Sequence, residues 1–184
     1  MRSLFSGFII AMIFTSFGLF ALGVFAAKTL FRQPPLRFQA GGYSFLVPEG
    51  WSCGREGTET VCHPKEEPLK RRALLVATAK IVGPNDNLDY FRAYLSTPTK
   101  PAGTPEKPLV DELLSLTAIH KNDLDWVVAE RRNSELPGWI TRYFAVRSGA
   151  LSVLFTVSGK AEIYGQVKPV SDTMFQNFFV RKLS

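Results

Sequence analysis

The chain has 184 residues with a formal net charge of +6, and its 46% hydrophobic against 21% charged residues place it among folded rather than disordered chains. The positive excess is spread, since Lys70-Arg71-Arg72 follows Glu66-Glu67 and Arg131-Arg132 follows Glu130. No basic stripe with interleaved aromatics forms, which argues against a nucleic-acid partner.

From Ser3 to Ala27 the sequence carries no charge. A helix of that length, at about 1.5 Å per residue, reaches roughly 37 Å and exceeds the ~30 Å of hydrocarbon in a bilayer. A secretory signal has a shorter apolar core, so the run favours a retained transmembrane anchor, although Val24-Phe25-Ala26 also satisfies the small-residue rule for cleavage after Ala26. On a helical wheel Gly7, Ala11 and Gly18 fall within about 40° of one another, with Thr15 beside them. Such a stripe lets another membrane helix approach closely.

Two signals bear on orientation. Lys28, Arg32 and Arg37 after the span lean toward a cytoplasmic carboxyl-terminal part by the positive-inside rule. The only two cysteines, Cys53 and Cys62, lean the other way. They flank Gly54, Gly57 and a polar run that reads as a hairpin turn, so facing strands would bring the thiols into disulfide reach, and such bridges persist in oxidising compartments. The cysteine pair outweighs the small charge difference. The expectation is a single-pass protein of the inner (cytoplasmic) membrane with its domain periplasmic.

Pro34-Pro35 stop the first helix and impose an extended spacer. The expected organisation is an anchor over residues 1–30, a proline-containing linker over 31–37 and a globular domain over 38–184. Tyr43, Phe45 and Val47 alternate with Ser44 and Leu46 as in a strand, and Pro48-Glu49-Gly50 supplies the turn before Trp51. After the cysteine hairpin, Arg72 to Val82 predicts a strand covered on both faces, ended by Gly83-Pro84.

A helix is predicted from Asp86 to Ser96, capped by Asn85 or Asp86, with Leu88, Phe91 and Leu95 on its apolar face. Thr97 to Pro108 carries Pro98, Pro101, Pro105 and Pro108 and reads as a long exposed loop, either mobile or docked. Leu109 to Ile119 fits neither period well and leans to a strand over its second half. Leu124 onward predicts an antiparallel meander, with Leu124, Trp126 and Val128 on one side, a turn at Leu136-Pro137-Gly138, and strands over Trp139–Arg147 and Leu151–Val157. Pro169 is expected to open a last helix whose Val170, Met174 and Phe178 recur at four-residue spacing.

The opening strand with its Pro48-Glu49-Gly50-Trp51 turn, the hairpin, the helix, the Leu-Ser-Val-Leu-Phe-Thr-Val meander strand and a closing helix with Met174 and Phe175-x-x-Phe178 together resemble the PsbP-like fold family. The resemblance covers roughly Leu36 to Leu183. It implies an α+β domain, an antiparallel β-sheet with helices packed on its faces, here behind one transmembrane helix. Members of that family act mostly as binding or assembly subunits rather than enzymes.

The residues themselves point the same way. Only His63 and His120 exist. Cys53, Cys62 and His63 fall short of the four ligands of a closed zinc site. There is no Cys-x-x-Cys, no Gly-x-Ser-x-Gly, and Ser158-Gly159-Lys160 lacks the upstream glycine of a phosphate loop. No cofactor is expected and no enzyme activity. The favoured reading is a membrane-anchored accessory or assembly subunit of a bacterial envelope or membrane protein complex, whose partners are that complex and the lipid bilayer. Lys100, Pro101, Pro105 and Lys107 of the proline loop are its candidate contact residues. The alternative is a tethered periplasmic module that binds a small apolar or anionic ligand.

Overall fold

The computed structural model describes residues 36–98, 102–104 and 107–182. Gly7, Ala11, Thr15 and Gly18 of the apolar run lie outside the described residues, as do Lys100, Pro101 and Pro105. Among the described residues no helix is long and apolar enough to cross a membrane. Residues 36–184 form one compact unit.

The strands, in chain order, are β1 (Arg37–Ala40), β2 (Tyr43–Leu46), β3 (Trp51–Glu56), β4 (Glu59–Pro64), β5 (Ala73–Ile81), β6 (Ala102–Thr104), β7 (Lys107–Leu109), β8 (Glu112–Lys121), β9 (Leu124–Arg132), β10 (Trp139–Ser148), β11 (Leu151–Lys160) and β12 (Phe179–Val180). Helix α1 spans Leu88–Ser96, and α2 spans Tyr164–Gln176 after a single 3-10 turn, Ala161–Ile163. Seven strands make the main antiparallel sheet in the order β3-β4-β5-β11-β10-β9-β8. A small sheet of β1-β2-β12 and the two-stranded ribbon β6-β7 complete it.

One face of the main sheet holds the core. There α2 and the small sheet press Val167, Met174, Phe175, Tyr43 and Phe45 onto Leu75, Phe144, Val153, Phe155 and Val157. Phe155 stacks on Phe144 at 4.2 Å and on Phe178 at 4.3 Å, while Trp126 meets Phe175 edge-on at 5.2 Å. Aromatic pairs in these geometries add about 0.5–1.5 kcal/mol each beyond their buried area. Gly159 permits the close approach of α2: a Cβ there would meet Val167 Cγ2 at 2.8 Å. Tyr43 carries its hydroxyl into this core and satisfies it, donating to the carbonyl of Ala77 at 2.9 Å and sharing a 2.7 Å bond with Thr60. Burial raises its pKa above the ordinary tyrosine value.

The other face is covered only in part. Helix α1 lies over β8, β9 and β10, and its predicted apolar face is the one that packs, with Leu88, Phe91 and Leu95 against Val127, Ala129, Tyr143 and Ala145. The cap is Asn87 rather than Asn85 or Asp86: its side chain accepts from the N–H of Tyr90 at 2.8 Å. Asp86 is instead buried, accepting from the N–H of Gly83 at 2.7 Å and pairing with Lys80 at 3.0 Å. The Gly83 bond first, and Lys80 second, hold its carboxyl below the ordinary range, so the stability it contributes is present at neutral pH and is lost as pH falls through that lowered pKa.

Further expectations are corrected. In β5 only Ala73, Leu75 and Ala77 are buried, while Leu74, Val76 and Thr78 on the second face stay half-buried. The run of apolar residues hid the alternation. Leu109 ends β7, Val110 and Asp111 lie between strands, and from Glu112 on the chain is strand β8, whose period is broken by a register shift between Leu113 and Ser115. Pro169 lies inside α2 rather than at its start, tolerated although it offers no N–H to the preceding turn. The tail after that helix is β12, paired with β2.

Candidate functional site

The proline segment of the sequence contains the ribbon β6-β7, registered Ala102 to Leu109, Gly103 to Pro108 and Thr104 to Lys107. Lys107 is thus at the start of β7. Both ends of the segment are tied down. At its start, the N–H of Thr97 bonds to the carbonyls of Ala93 and Tyr94, and its hydroxyl to Ala93 at 2.8 Å. At its end stands a buried cluster around Arg131.

Arg131 belongs to β9, where it continues the inward alternation of Val127 and Ala129, and both it and Asp111 are almost completely buried. Its guanidinium donates to Asp111 at 3.0 Å from Nε and 2.7 Å from Nη2, a two-point fork. Nη1 donates to the carbonyl of Leu95 in the last turn of α1. One side chain therefore joins the end of α1 to the segment that returns from the ribbon. Asn133, held in the left-handed region at φ 62, adds a bond from Nδ2 to the carbonyl of Val110 at 3.0 Å and accepts from the N–H of Gly138 at 2.8 Å. Beside these buried anchors Val110 is 74% exposed and Leu113 38%.

The cysteines meet as expected. Cys53 stands opposite Cys62 in the β3-β4 hairpin, with Cα atoms 4.0 Å apart and the sulfurs joined. Gly57 at φ 62 makes the two-residue turn with Thr58. Both thiols being engaged in the bridge, neither is available with His63 as a ligand set. Reduction should cost about 2–3 kcal/mol in the chain-entropy account of a short loop. Thermal unfolding with and without a phosphine reductant checks this, and alkylation of intact cells before lysis should find no free thiol.

The half of the second sheet face that α1 leaves open is a cleft of about 700 Å³ along β3, β4 and β5, joined at Leu74 to a smaller one over β5 and β11. Its floor is Val61, Leu74 and Val76, with Leu154 at the margin it shares with the α1 cluster and Glu135 and Leu136 of the turn after β9 along one side. Lys65, Lys70 and Arg71 stand at one end of the cleft, Glu56 and Glu59 at the other. Chemically it offers apolar area and charge, and among the described residues no three His, Cys, Asp or Glu side chains converge as a metal set.

No family model matches the chain, and no curated protein sequence matches it. Solved structures match its fold. Cyanobacterial PsbP (CyanoP) from Synechocystis sp. PCC 6803 is 16% identical with a TM-score of 0.55, over 79% of this chain and 92% of its own. The Ran-binding protein Mog1p of Saccharomyces cerevisiae is 11% identical with a TM-score of 0.51, over 80% and 96%. LpqN of Mycobacterium tuberculosis, a protein involved in cell envelope biogenesis, is 8% identical with a TM-score of 0.53, over 82% and 87%. At such identities the likeness is one of fold: the α+β domain is PsbP-like, as its order of elements implied.

Proposed function

We propose that this PsbP-like domain is a non-enzymatic accessory module, tethered by the apolar run of Ser3 to Ala27 to the outer side of a bacterial inner membrane, which docks on a membrane protein complex through the β6-β7 ribbon. The observation that carries this reading is the Arg131 cluster. A buried ion pair is costly to desolvate and is seldom a net source of stability, so its place in the fold is best explained by what it positions. Here it positions the departure and return of a proline-rich ribbon, beside exposed Val110 and Leu113. A ribbon whose ends are fixed loses less conformational freedom on binding than a free loop. A tether also confines the domain near its partner and raises the effective concentration, so a weak contact suffices.

The structural neighbours add support of a coarser kind, one being described as Ran-binding and another as involved in envelope biogenesis. Deleting residues 100–107 from the full chain should release the complex on purification in mild detergent, with the thermal unfolding temperature of the domain unchanged. Retention of the same partners by the deletion variant would overturn the docking role of the ribbon. The second reading, a module for a small anionic amphiphile, draws on the apolar floor and basic end of the open cleft. Native mass spectrometry of the purified full chain, showing a stoichiometric bound small molecule and no protein partner, would favour it.

A further inference from the structure

The second face of the main sheet has room for two helices and carries one. Helix α1 covers β8 to β10 and its cluster reaches Leu154 of β11, while beyond it Val61, Leu74 and Val76 form a floor, edged by Glu135 and Leu136 of the turn after β9, over which no described helix packs. We infer that this vacancy is the seat for α1 of a second copy, so that two chains pair by reciprocal insertion about a two-fold axis running along the strands.

Direction and charge select this occupant. Helix α1 starts where Asn87 and Leu88 share a cleft with Leu124, Arg147 and Gly149, and ends where the carbonyl of Leu95 meets Arg131. Arg131 pairs with Thr141, Thr141 with Ser158 and Ser158 with Leu74, so the end of α1 is level with the Leu74 end of the floor. Arg147, by the start of α1, pairs with Ser152 and Ser152 with Lys80, and two residues inward from it the row runs through Val127, Ala145, Leu154, Thr78 and Glu59. A helix lying in the seat parallel to α1 therefore begins near Glu56 and Glu59, with Lys80 two residues beyond the Glu59 row, and ends toward Lys65, Lys70 and Arg71, with Glu135 along its side. Acids at its start and cations at its end are what the helix dipole favours. Asp89, the acid in the first turn of α1, has Arg92 at 3.9 Å.

An axis along the strands turns the second copy over while keeping strand direction, and so delivers its α1 in that orientation. Each helix then fills the seat of the other copy, giving one helical layer about 10 Å thick between two sheets. An axis across the strands would instead stack the two α1 helices on each other and leave both floors open. The outward surface of α1 suits the contact. Tyr90 and Tyr94, 46% and 57% exposed, stack at 6.4 Å, and the small Ala93 next to them allows close approach.

The test uses the full chain in mild detergent, where the bridge between Cys53 and Cys62 leaves no native thiol to react. Light scattering on a sizing column should give the mass of two chains. Val76→Glu in the seat and Ala93→Glu on the helix should each weaken the dimer about tenfold or more, since each buries an unpaired charge. Two differently tagged variants, Val76→Cys and Ala93→Cys, should be joined by a short bismaleimide when mixed. This cross-link reports on geometry even if a charged variant folds poorly. Deletion of residues 100–107, which tests the docking reading, should leave the dimer intact. A monomer at every concentration, a dimer insensitive to both charged variants, or a dimer without the 76–93 cross-link would each overturn the inference.

Discussion

Replacing Arg131 with methionine should lower the stability of the domain by about 3–5 kcal/mol, because it leaves the carboxylate of Asp111 buried without its guanidinium. For a domain of this size that is a fall of about 6–20 °C in the unfolding temperature, at roughly 2–4 °C per kcal/mol. The double variant Arg131→Met with Asp111→Leu should recover most of the loss, since it removes both charges rather than one. Circular dichroism through the transition measures both. The same double variant separates stability from positioning. With the fold restored but the fork gone, amide exchange at Val110 and Leu113 should rise, and the partner should be lost. A double variant that stays unstable would mean that the cluster supports the fold rather than the ribbon.

Phe155→Ala should cost a similar amount, about 3–5 kcal/mol, by opening a cavity where the rings of Phe144 and Phe178 lie within 4.3 Å. Phe155 is fully buried on the strand that holds the centre of the sheet, and neither ring can follow its loss without leaving its own neighbours. Phe179 makes the comparison. It is 46% exposed, with Arg37 and Lys121 near its face, so Phe179→Ala should cost about 1 kcal/mol or less. Urea unfolding with equal slopes for both variants and wild type gives the difference directly. A large loss at Phe179 would place the core nearer the small sheet than the aromatic stack indicates.

The meander was legible because Trp126 and Val128, or Val153, Phe155 and Val157, alternate over enough residues to show a period of two. β1 and β12, of four and two residues, are too short for a period and are held by pairing with β2. In β5 the second face carries Leu74 and Val76, so its hydrophobicity promised a cover that α1, seated over the other half of the sheet, does not supply. The cysteine bridge could be read because both partners lie in one hairpin.

The cluster that ties the ribbon was not legible. Arg131 and Asp111 are 20 residues apart, and in Glu-Arg-Arg the arginine looks like one more surface charge. Its signal was positional. Val127, Ala129 and Arg131 share one side of β9, and an arginine at an inward place in that series calls for a buried partner.

The central claim is that the ribbon anchored by Arg131 is the docking surface, and cross-linking in living cells tests it most directly. A photoreactive phenylalanine analogue at exposed Val110, next to the anchored end of the ribbon, should give a discrete covalent adduct with a membrane protein on irradiation. The same group at exposed Thr173, on α2, should give none. Equal adducts from both positions, or none from Val110 in cells where the full chain is membrane-bound, would contradict the account.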